Sequence, residues 1–547
     1  FAMNFDPTVA SASYIDTAGG PCGIALDETN GRLYVLTRFD NSVAVIDTTS
    51  KATLETHALH NPEPPDVVAG RPFLYDAVNT SGNGEASCSS CHIFADFDSL
   101  AWNLGDPDAN TSNNTQPSAS ISLPPATTFH PMKGPMTTQT LRGLATHGGM
   151  HWRGDRVDGF FGSDPCLSTV GAPCNEAHSF DNFIVAFAGL VGHDGVISIA
   201  DMQKFRKFAL EIMLPPNPVR PLDNTLSGDA AQGETLFSGP ITDTVENCNG
   251  CHNLDPANGF FGSGGEQSFE GEPQNFKVAH LRNLYAKVGM FGVADGGIGG
   301  GPSGPQVRGF GMLHDGAIDT VRTFLGSPVF SLNASQEIDL EQFILSFPSD
   351  LAPIVGQQVT LDATNSAEVD PRIATLIDRA GTSFTSLMLG GVVTECDLVV
   401  KGSVGGVPRG WVLQGGLFLD DVGGAISDTN LRALAVSEGP LTYTCAPPGS
   451  GQRMGIDRDE DILLDGVETG TGVFVSSSDT GSDPALWDTD GDGVSDGQEV
   501  ADGTDPNDPF SFNLPTIPAV PAWGLSLLFA SVLGAGGWMQ RRRAPAL

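Results

Sequence analysis

The chain has 547 residues, which exceeds the size of one ordinary hydrophobic core and predicts several domains. Its 27 Lys and Arg residues stand against 65 Asp and Glu residues, and the formal net charge of −38 argues against a nucleic-acid partner. Charged residues make up 17% of the chain, which also contains 68 Gly and 38 Pro residues. This composition favours a loop-rich globular protein over a helical bundle or a disordered chain.

The first 64 residues contain a β-strand pattern. Apolar and polar residues alternate over 32–37 and 42–47, with the turn-like sequence Phe39-Asp-Asn between the two runs. This stretch resembles one repeat of the YVTN family of β-propellers, whose blades each take roughly forty residues. The resemblance implies that residues 1–64 are the remnant of one propeller blade. An ordinary β-hairpin on the next domain is the alternative.

Two Cys-x-x-Cys-His strings lie further along the chain. They consist of Cys88, Cys91 and His92 in the first string, and of Cys248, Cys251 and His252 in the second. Two thiols on one helical turn add to the two vinyl groups of a haem, and the adjacent His then lies beneath the iron. We therefore predict two covalently bound haem c groups with His92 and His252 as iron ligands. A four-Cys zinc site and a thioredoxin-like pair are the alternatives, but neither needs the His.

The five other cysteines indicate the compartment. Cys166 and Cys174 close a short loop, and Cys396 and Cys445 flank an apolar-rich region, so each pair is predicted to form a disulfide. Cys22 is left alone. Covalent haem together with disulfides fits an oxidising compartment, and we expect an exported protein of the periplasm or cell surface.

The acidic region near the C-terminus matches the calcium-loop pattern D-x-D-x-D-G-x5-E. Its residues are Asp488, Asp490, Asp492, Gly493, Asp496 at the ninth place, and Glu499. Carboxylates on alternate residues, a Gly for the tight turn and a terminal bidentate Glu suit calcium, and an acidic solvated linker is the alternative. In a second string Ile462 replaces the Gly, and calcium stays an open question there. The carboxylates of this string are Asp457, Asp459, Asp461, Asp465 and Glu468. Both strings resemble the Asp-rich repeats of thrombospondin type 3 modules.

The last segment is predicted to be a transmembrane helix. Residues 520–539 contain no charge and are followed almost at once by three Arg residues at 541–543. Twenty apolar residues span a bilayer, and the cationic flank predicts a cytoplasmic C-terminus. The segment resembles the IPTL or PEP-CTERM class of sorting tails, which implies a transient tether to the membrane. A permanent anchor is the alternative.

The region around the haem strings is rich in Gly, Pro and Asn. Amphipathic helices are predicted at 201–213 and 334–347, with an inter-domain linker at 217–229. The predicted fold class is multidomain and mainly α, with loop-rich tandem cytochrome c domains. The predicted domains are a propeller-blade remnant (1–64), an N-terminal cytochrome c domain (65–229), a C-terminal cytochrome c domain (230–355), a small β-rich module (356–450), acidic calcium-binding repeats (451–512) and a sorting signal with a transmembrane helix (513–547).

Beyond the haem strings, residues 66–355 resemble the bacterial di-haem cytochrome c peroxidase family, which includes the enzyme that matures methylamine dehydrogenase. The matching segments, in the order and spacing of the family, are 133–142, 151–156, 276–283 and 314–316. The resemblance covers a little over half of the chain. It implies two haems in tandem domains, with peroxide meeting the N-terminal haem and electrons entering at the C-terminal haem.

The peroxide side of the chain departs from that family. Met150 stands where the family has a Gln, and Phe161 falls near the position of its Glu. We predict that His151 takes over the acid/base role, because a His moves protons between peroxide oxygens at neutral pH. A distal iron ligand or a surface His is the alternative for this residue.

The sixth iron ligands depart from the family as well. No His occurs between His92 and His130, so we predict an open N-terminal iron. The family's ligand position for the C-terminal haem falls near Pro328, where no Met or Tyr is available. Met290 is predicted to bind that iron through its thioether, with Met312 as the alternative.

These features predict an exported di-haem peroxidase-like oxidoreductase that reduces hydrogen peroxide or a related oxidant. Its electrons are expected from an external donor, either a small redox protein or a quinol-linked one. One alternative is a non-enzymatic surface electron-transfer cytochrome with two six-coordinate irons. Another is a di-haem oxidase that modifies a protein substrate. Iron coordination separates the first two functions, because peroxide needs an open or displaceable site.

Overall fold

A computed structural model describes residues 15, 17–102, 136–146, 150–152, 176–243, 246–263, 276–287, 311–314, 316 and 318–511, together with the backbone of 112–113 and 128–129. The chain divides into two units, Phe1–Asp459 and Glu460–Leu547. The first unit contains both Cys-x-x-Cys-His strings, and the second contains the calcium-loop pattern at 488–499.

The N-terminal sheet is a four-stranded antiparallel meander. Its strands are β1 (Pro21–Asp27), β2 (Arg32–Thr37), β3 (Ser42–Asp47) and β4 (Thr53–Ala58). Leu33 and Val35 of β2 pack with Ala44 and Ile46 of β3, whereas β4 is exposed along its whole length. A propeller blade buries its faces against neighbouring blades. No second four-stranded sheet occurs in the described part of the chain, so the structure does not support a β-propeller.

Two structural repeats follow, and each carries one Cys-x-x-Cys-His string. The first repeat, residues 65–212, contains helices α1 (Pro65–Gly70), α2 (Pro72–Tyr75), α3 (Ala77–Thr80), α4 (Glu176–Asp181), α5 (Val185–Gly189) and α6 (Ile199–Glu211). The second repeat, residues 228–347, contains α7 (Gly228–Ser238), α8 (Cys248–Cys251), α9 (Val321–Leu325) and α10 (Ala334–Leu345). Helices α6 and α10 confirm the helices predicted at 201–213 and 334–347.

Short strands supplement the helices of both repeats. They are β5 (Ala101–Trp102), β6 (Ser112–Asn113), β7 (Thr128–Phe129), β8 (Met136–Thr137), β9 (Leu254–Asp255) and β10 (Phe260–Phe261). They pair antiparallel as β5 with β8, β6 with β7, and β9 with β10. These two-residue ladders join loop segments to one another, as expected in a domain with little regular structure.

In both repeats the first helix crosses the last helix at close range. Helix α1 packs on α6, where a Cβ atom at Gly70 would lie 2.0 Å from the carbonyl oxygen of Lys204. Helix α7 packs on α10, where a Cβ atom at Gly233 would lie 2.0 Å from the carbonyl oxygen of Asp339. Only Gly lets two backbones approach this closely. The recurrence of this crossing indicates that the two repeats share one architecture.

A Leu-Arg-x-Leu turn also recurs. Residues 141–144 lead into the 3-10 helix Leu144–Thr146, and residues 281–284 lead into the 3-10 helix Leu284–Ala286. The third residue of each turn is left-handed, with φ of 72° at Gly143 and 55° at Asn283. Gly and Asn adopt this conformation at the lowest cost, which explains their presence here.

Main-chain hydrogen bonds join the two repeats reciprocally. Thr137 N donates to His314 O at 2.7 Å, and Lys277 N donates to Trp152 O at 2.9 Å. Thr137 and Lys277 each precede the first Leu of their Leu-Arg turn by four residues. The two bonds are therefore equivalent under an approximate two-fold axis that relates the repeats.

A six-stranded antiparallel sheet follows the repeats. Its strands are β11 (Gln358–Leu361), β14 (Asp397–Val404), β15 (Val407–Gln414), β16 (Leu417–Asp420), β17 (Ala425–Ile426) and β18 (Leu441–Ala446), in the spatial order β11-β18-β14-β15-β16-β17. A separate hairpin pairs β12 (Ser383–Ser386) with β13 (Gly391–Thr394), and the helices are α11 (Ser366–Ala380), α12 (Asp428–Ser437) and α13 (Gly451–Gly455).

One predicted disulfide is confirmed in this region. Cys396 bonds to Cys445, with 5.3 Å between their Cα atoms, and both residues belong to the core that the sheet forms with α11. The bond closes a loop of 49 residues and limits the freedom of the unfolded chain. The other predicted pair, Cys166 and Cys174, lies outside the described residues.

The predicted fold class is wrong. The chain is not mainly α, because an antiparallel sheet forms the N-terminal region and a six-stranded antiparallel sheet lies within 358–446. Among the described residues no helix is long and apolar enough to cross a membrane. The longest of those helices, α11, has 15 residues, or about 22 Å, against a hydrocarbon core of about 30 Å. The segment 520–539 itself lies outside the described residues.

Candidate metal centres

The first Cys-x-x-Cys-His string is organised by a single 3-10 turn, Cys88–Ser90. The Ser87 N–H donates to the Ser90 hydroxyl at 3.1 Å and caps the turn. The His92 N–H donates to the carbonyl of the first Cys at 2.9 Å. These bonds fix the imidazole next to the thiol-bearing turn, and His92 Nδ1 lies 2.8 Å from the carbonyl oxygen of Gln139.

The second string is built in the same way on α8. The side chain of Asn247 caps the helix and accepts from the Gly250 N–H at 2.9 Å. The His252 N–H donates to the Cys248 carbonyl at 2.7 Å, and His252 Nδ1 lies 2.8 Å from the carbonyl oxygen of Gly262. Each imidazole is thus oriented by a carbonyl group of its own repeat.

These hydrogen bonds define the tautomer of both imidazoles. A carbonyl oxygen only accepts, so Nδ1 carries the proton and the neutral ring presents the lone pair of Nε2. Burial lowers the pKa of His92 and of His252, while nearby carbonyl groups act in the opposite direction. A neutral imidazole held at Nδ1–H by a carbonyl is the form that ligates metals. The residues of both strings therefore fit a covalent haem.

A buried amide without a protein partner lies in the second repeat. Asn283 is 5% exposed, and neither its Oδ1 nor its Nδ2 has a hydrogen-bond partner among the described residues. Buried amides are normally paired, so this side chain fits beside a polar group that the chain does not supply. The equivalent residue of the first repeat is Gly143, which offers no amide side chain.

The candidate acid/base residue His151 lies beside the core of the first repeat. It adopts φ of 62°, and its ring centroid lies 6.2 Å from that of Phe183. Its neighbour Met150 is buried in the apolar core of this repeat, and Trp152 is buried with its Nε1 donating to Thr137 O at 2.7 Å. His151 is thus flanked in the chain by two buried residues, and its catalytic role stays a prediction.

The predicted iron ligand Met290 lies outside the described residues, and so does Phe161. The alternative ligand Met312 is partly buried and packs against the core of the second repeat. Its main chain bonds to Ile318 in an isolated antiparallel bridge. The sixth-ligand predictions are thus untested, and the packing of Met312 is typical of an ordinary core residue.

A buried ion pair that the sequence did not reveal joins the two repeats. Arg282 Nη1 donates to Asp350 Oδ2 and to Thr146 Oγ1, at 2.8 Å each, and Nη2 donates to the Gly143 carbonyl at 3.1 Å. Both charged side chains are fully buried, and the guanidinium lies 4.9 Å from the ring centroid of Phe261. These partners come from distant parts of the chain, so no local sequence signal could have identified the pair.

The predicted calcium loop brings three carboxylates together. Asp488, Asp490 and Asp492 each offer an oxygen within 4.8 Å of the others. The Gly493 N–H donates to Asp488 Oδ2 at 2.8 Å, and this Gly takes φ of 96°, as the tight turn requires. Glu499 belongs to the following helix, α14 (Asp496–Asp502).

Glu499 provides a second observation that indicates a cation. It is 1% exposed, and neither of its carboxylate oxygens has a hydrogen-bond partner among the described residues. Burial and the neighbouring Asp490 and Asp492 raise its pKa to about 7. A buried carboxylate that lacks donors is stabilised by a bound cation, as the bidentate Glu of a calcium loop is.

Asp496 lies in a different carboxylate group from the one predicted. Its carboxylate clusters with Asp461 and Glu468, within 4.8 Å of one another, and it accepts from Thr489 N at 2.8 Å. Burial raises its pKa to about 6. Ile462, at the Gly position of the second string, takes φ of 89°, so this loop makes the same left-handed turn.

One comparison with known proteins supports the resemblance predicted for the acidic region, and none establishes a family for the remainder of the chain. Residues 488–509 match the family described as the bacterial TSP3 repeat. No curated protein sequence matches the chain. Among solved structures, hydrazine synthase from Kuenenia stuttgartiensis is 17% identical, with 53% of this chain and 90% of that chain covered at a TM-score of 0.33. A MauG-like protein associated with microbial copper homeostasis is 15% identical, with 63% and 95% covered at a TM-score of 0.29. Scores of this size do not establish a common fold.

Proposed function

We propose that the chain is an exported di-haem c-type oxidoreductase that reduces hydrogen peroxide or a related oxidant with electrons from an external donor. The observation that carries this proposal is the equivalent geometry of His92 and His252. Each follows a Cys-x-x-Cys turn and donates its Nδ1–H to a carbonyl 2.8 Å away. Haem held there supplies one-electron redox chemistry and, where iron has an open position, a binding place for peroxide.

The Cys residues of the strings and the carbonyl groups near them have different roles. Cys88 and Cys91 hold the first haem and Cys248 and Cys251 the second, through thioether bonds to the vinyl groups. The carbonyl groups of Gln139 and Gly262 orient the two imidazoles. These hydrogen bonds at Nδ1 also raise the basicity of the ligating nitrogens.

His151 is proposed as the residue that moves a proton in the reaction with peroxide. Its ring centroid lies 6.2 Å from that of Phe183, which packs against the buried core of the first repeat. A neutral imidazole accepts a proton from one peroxide oxygen and can return it to the other. The external electron donor is proposed to be a small redox protein or a quinol-linked one, and the disulfide Cys396–Cys445 supports export to an oxidising compartment.

A second candidate is a non-enzymatic electron-transfer cytochrome. The buried position of Met150 favours it, because an apolar thioether occupies the position where the resembling family has a catalytic Gln. Such a protein needs both irons six-coordinate. Peroxide then has no iron site to bind.

Optical titration of the oxidised protein with hydrogen peroxide tests the proposal. We expect a spectral change at the first haem and turnover in the presence of an electron donor. His151→Gln is expected to lower turnover about 10²-fold or more, as loss of a general acid/base does. The matched control is His178→Gln in α4 of the same repeat, with turnover unchanged. An absence of any spectral change favours the electron-transfer cytochrome, and full turnover of His151→Gln shows that His151 has no proton-transfer role.

We further propose that Asp488, Asp490, Asp492 and Glu499 bind calcium, with Asp496 in the adjoining carboxylate group. The unpaired, buried carboxylate of Glu499 and the family match at 488–509 support this site. Calorimetry with Glu499→Gln is expected to show loss of a calcium-binding event, whereas Glu438→Gln, outside this region, should bind as the parent does. Equal calcium binding by Glu499→Gln and the parent would remove the proposal.

A further inference from the structure

A small cavity lies between the two repeats. Its walls come from Gln139, Thr140 and Trp152 of the first repeat and from Ala279, His280 and Lys287 of the second. Gln139 and Ala279 are equivalent residues, since each stands two positions before the first Leu of its Leu-Arg turn. The cavity therefore lies close to the approximate two-fold axis.

Two residues that line this cavity interact with the two candidate iron ligands through their main-chain carbonyl groups. The Gln139 carbonyl holds His92 Nδ1 at 2.8 Å. Burial lowers the pKa of His252, and the Ala279 carbonyl, like that of Gly262, acts on its imidazole in the opposite direction. A charge placed in the cavity therefore acts on both imidazoles over a short distance and through protein rather than bulk water.

Lys287 supplies such a charge. Its ammonium lies 5.9 Å from the ring centroid of Trp152, within the range of a cation–π contact. Among the residues that line the cavity there is no carboxylate. Burial lowers the pKa of Lys287, and the negative charge of Asp96 acts in the opposite direction.

Trp152 has a different aromatic counterpart in the second repeat. The residue equivalent to Trp152 is His314, as the reciprocal main-chain bonds show. His314 stacks on Phe276, with 4.2 Å between ring centroids and 12° between ring planes. The position equivalent to Lys287 is residue 147, which lies outside the described residues.

We infer that Lys287 raises the reduction potentials of both haems by placing a positive charge in the cavity between the two repeats. The inference rests on the proposed haem attachment at the two strings. When a one-electron donor reduces an iron, the electron lowers the charge of that centre by one unit. A nearby cation stabilises this reduced state relative to the oxidised state, so the potential rises. The electron comes from the donor, and this reduction requires no proton and no other reactant.

Spectroelectrochemical titration of the full chain with both haems attached tests the inference. Lys287→Met removes the charge but keeps most of the volume, and both midpoint potentials are expected to shift downward. Lys287→Arg keeps the charge and should retain potentials close to those of the parent. Because a purely structural effect of the substitution would not follow the charge, the contrast between the two variants identifies the electrostatic role.

The outcomes separate this inference from the proposed function. The haem content of the parent and of both variants is measured first, by mass spectrometry of the denatured chains. A parent chain without haem overturns the proposed function. Two attached haems with equal potentials in Lys287→Met and the parent overturn the role of Lys287 while the proposed function stands. A downward shift of equal size in Lys287→Arg and Lys287→Met would also overturn it, since charge would then not be the cause.

Discussion

The two structural repeats share a scaffold but differ in what surrounds it. Both cross their helices at a Gly, both turn at a Leu-Arg-x-Leu sequence, and both hold an imidazole by a carbonyl. The Arg of the turn differs sharply between them. Arg282 is fully buried and paired with Asp350, whereas Arg142 is partly exposed and lies 3.5 Å from Asp96. The two proposed haem sites therefore share a duplicated scaffold, and the differences between them lie at a few substituted positions.

The largest effect is expected from removal of one attachment site. Cys88→Ser with Cys91→Ser should lower the mass of the denatured chain by one haem and leave the second haem in place. Each imidazole is oriented within its own repeat, so the remaining centre should keep its absorption spectrum. The matched variant is Cys248→Ser with Cys251→Ser. Loss of both haems from either variant would show that the two repeats do not bind haem independently.

The next largest effect concerns the two Arg residues of the turns. Arg282→Met leaves Asp350 buried without its partner, and we expect the free energy of unfolding to fall by about 3–5 kcal/mol. Arg142→Met breaks a partly exposed pair, for which a loss of about 0–1 kcal/mol is expected. Urea unfolding followed by circular dichroism measures both values. Similar losses in the two variants would contradict the asymmetry described above.

The helix crossings should respond equally to substitution. Gly70→Ala and Gly233→Ala each place a Cβ atom 2.0 Å from a backbone carbonyl oxygen, and backbone cannot move aside cheaply. We expect each change to cost about 1–3 kcal/mol of stability. Gly189→Ala at the end of α5 is the control, because its Cβ atom would meet no atom within 4 Å. A large cost at only one of the two crossings would show that the repeats do not close in the same way.

The smallest expected effect is a pH dependence of the haem potentials. Burial lowers the pKa of Lys287 to about 8. As the pH rises through about 8, Lys287 loses its proton and its positive charge, so both potentials should fall. Among the described residues, His280 lines the same cavity as Lys287, and the charge of Asp96 acts on Lys287.

The same titrations in two variants assign this pH dependence. Lys287→Met should show no step near pH 8, whereas His280→Gln should retain it. A step of unchanged size in Lys287→Met would assign the pH dependence to another group.

The sequence predicted the features that depend on local spacing. The two Cys-x-x-Cys-His strings, helices α6 and α10, and the carboxylates of Asp488, Asp490 and Asp492 follow from residue type and period alone. The disulfide Cys396–Cys445 was predicted because the two cysteines flank an apolar-rich region.

The sequence could not predict the features that depend on distant contacts. Arg282 meets Asp350, Thr146 and Gly143 only after the repeats pair, and Asp496 joins Asp461 and Glu468 only after the acidic loops fold. The strand order of the β-rich module predicted at 356–450 is of the same kind. Its strands form one six-stranded sheet through pairings that skip along the chain, such as β11 with β18.

The most direct test of the central claim is peptide mass spectrometry of the denatured protein, produced in a host that attaches haem c. We expect one haem on the peptide that contains Cys88 and Cys91 and one on the peptide that contains Cys248 and Cys251, with a total of two per chain. Unmodified cysteines in both peptides, or a chain that retains zinc in place of haem, would contradict it.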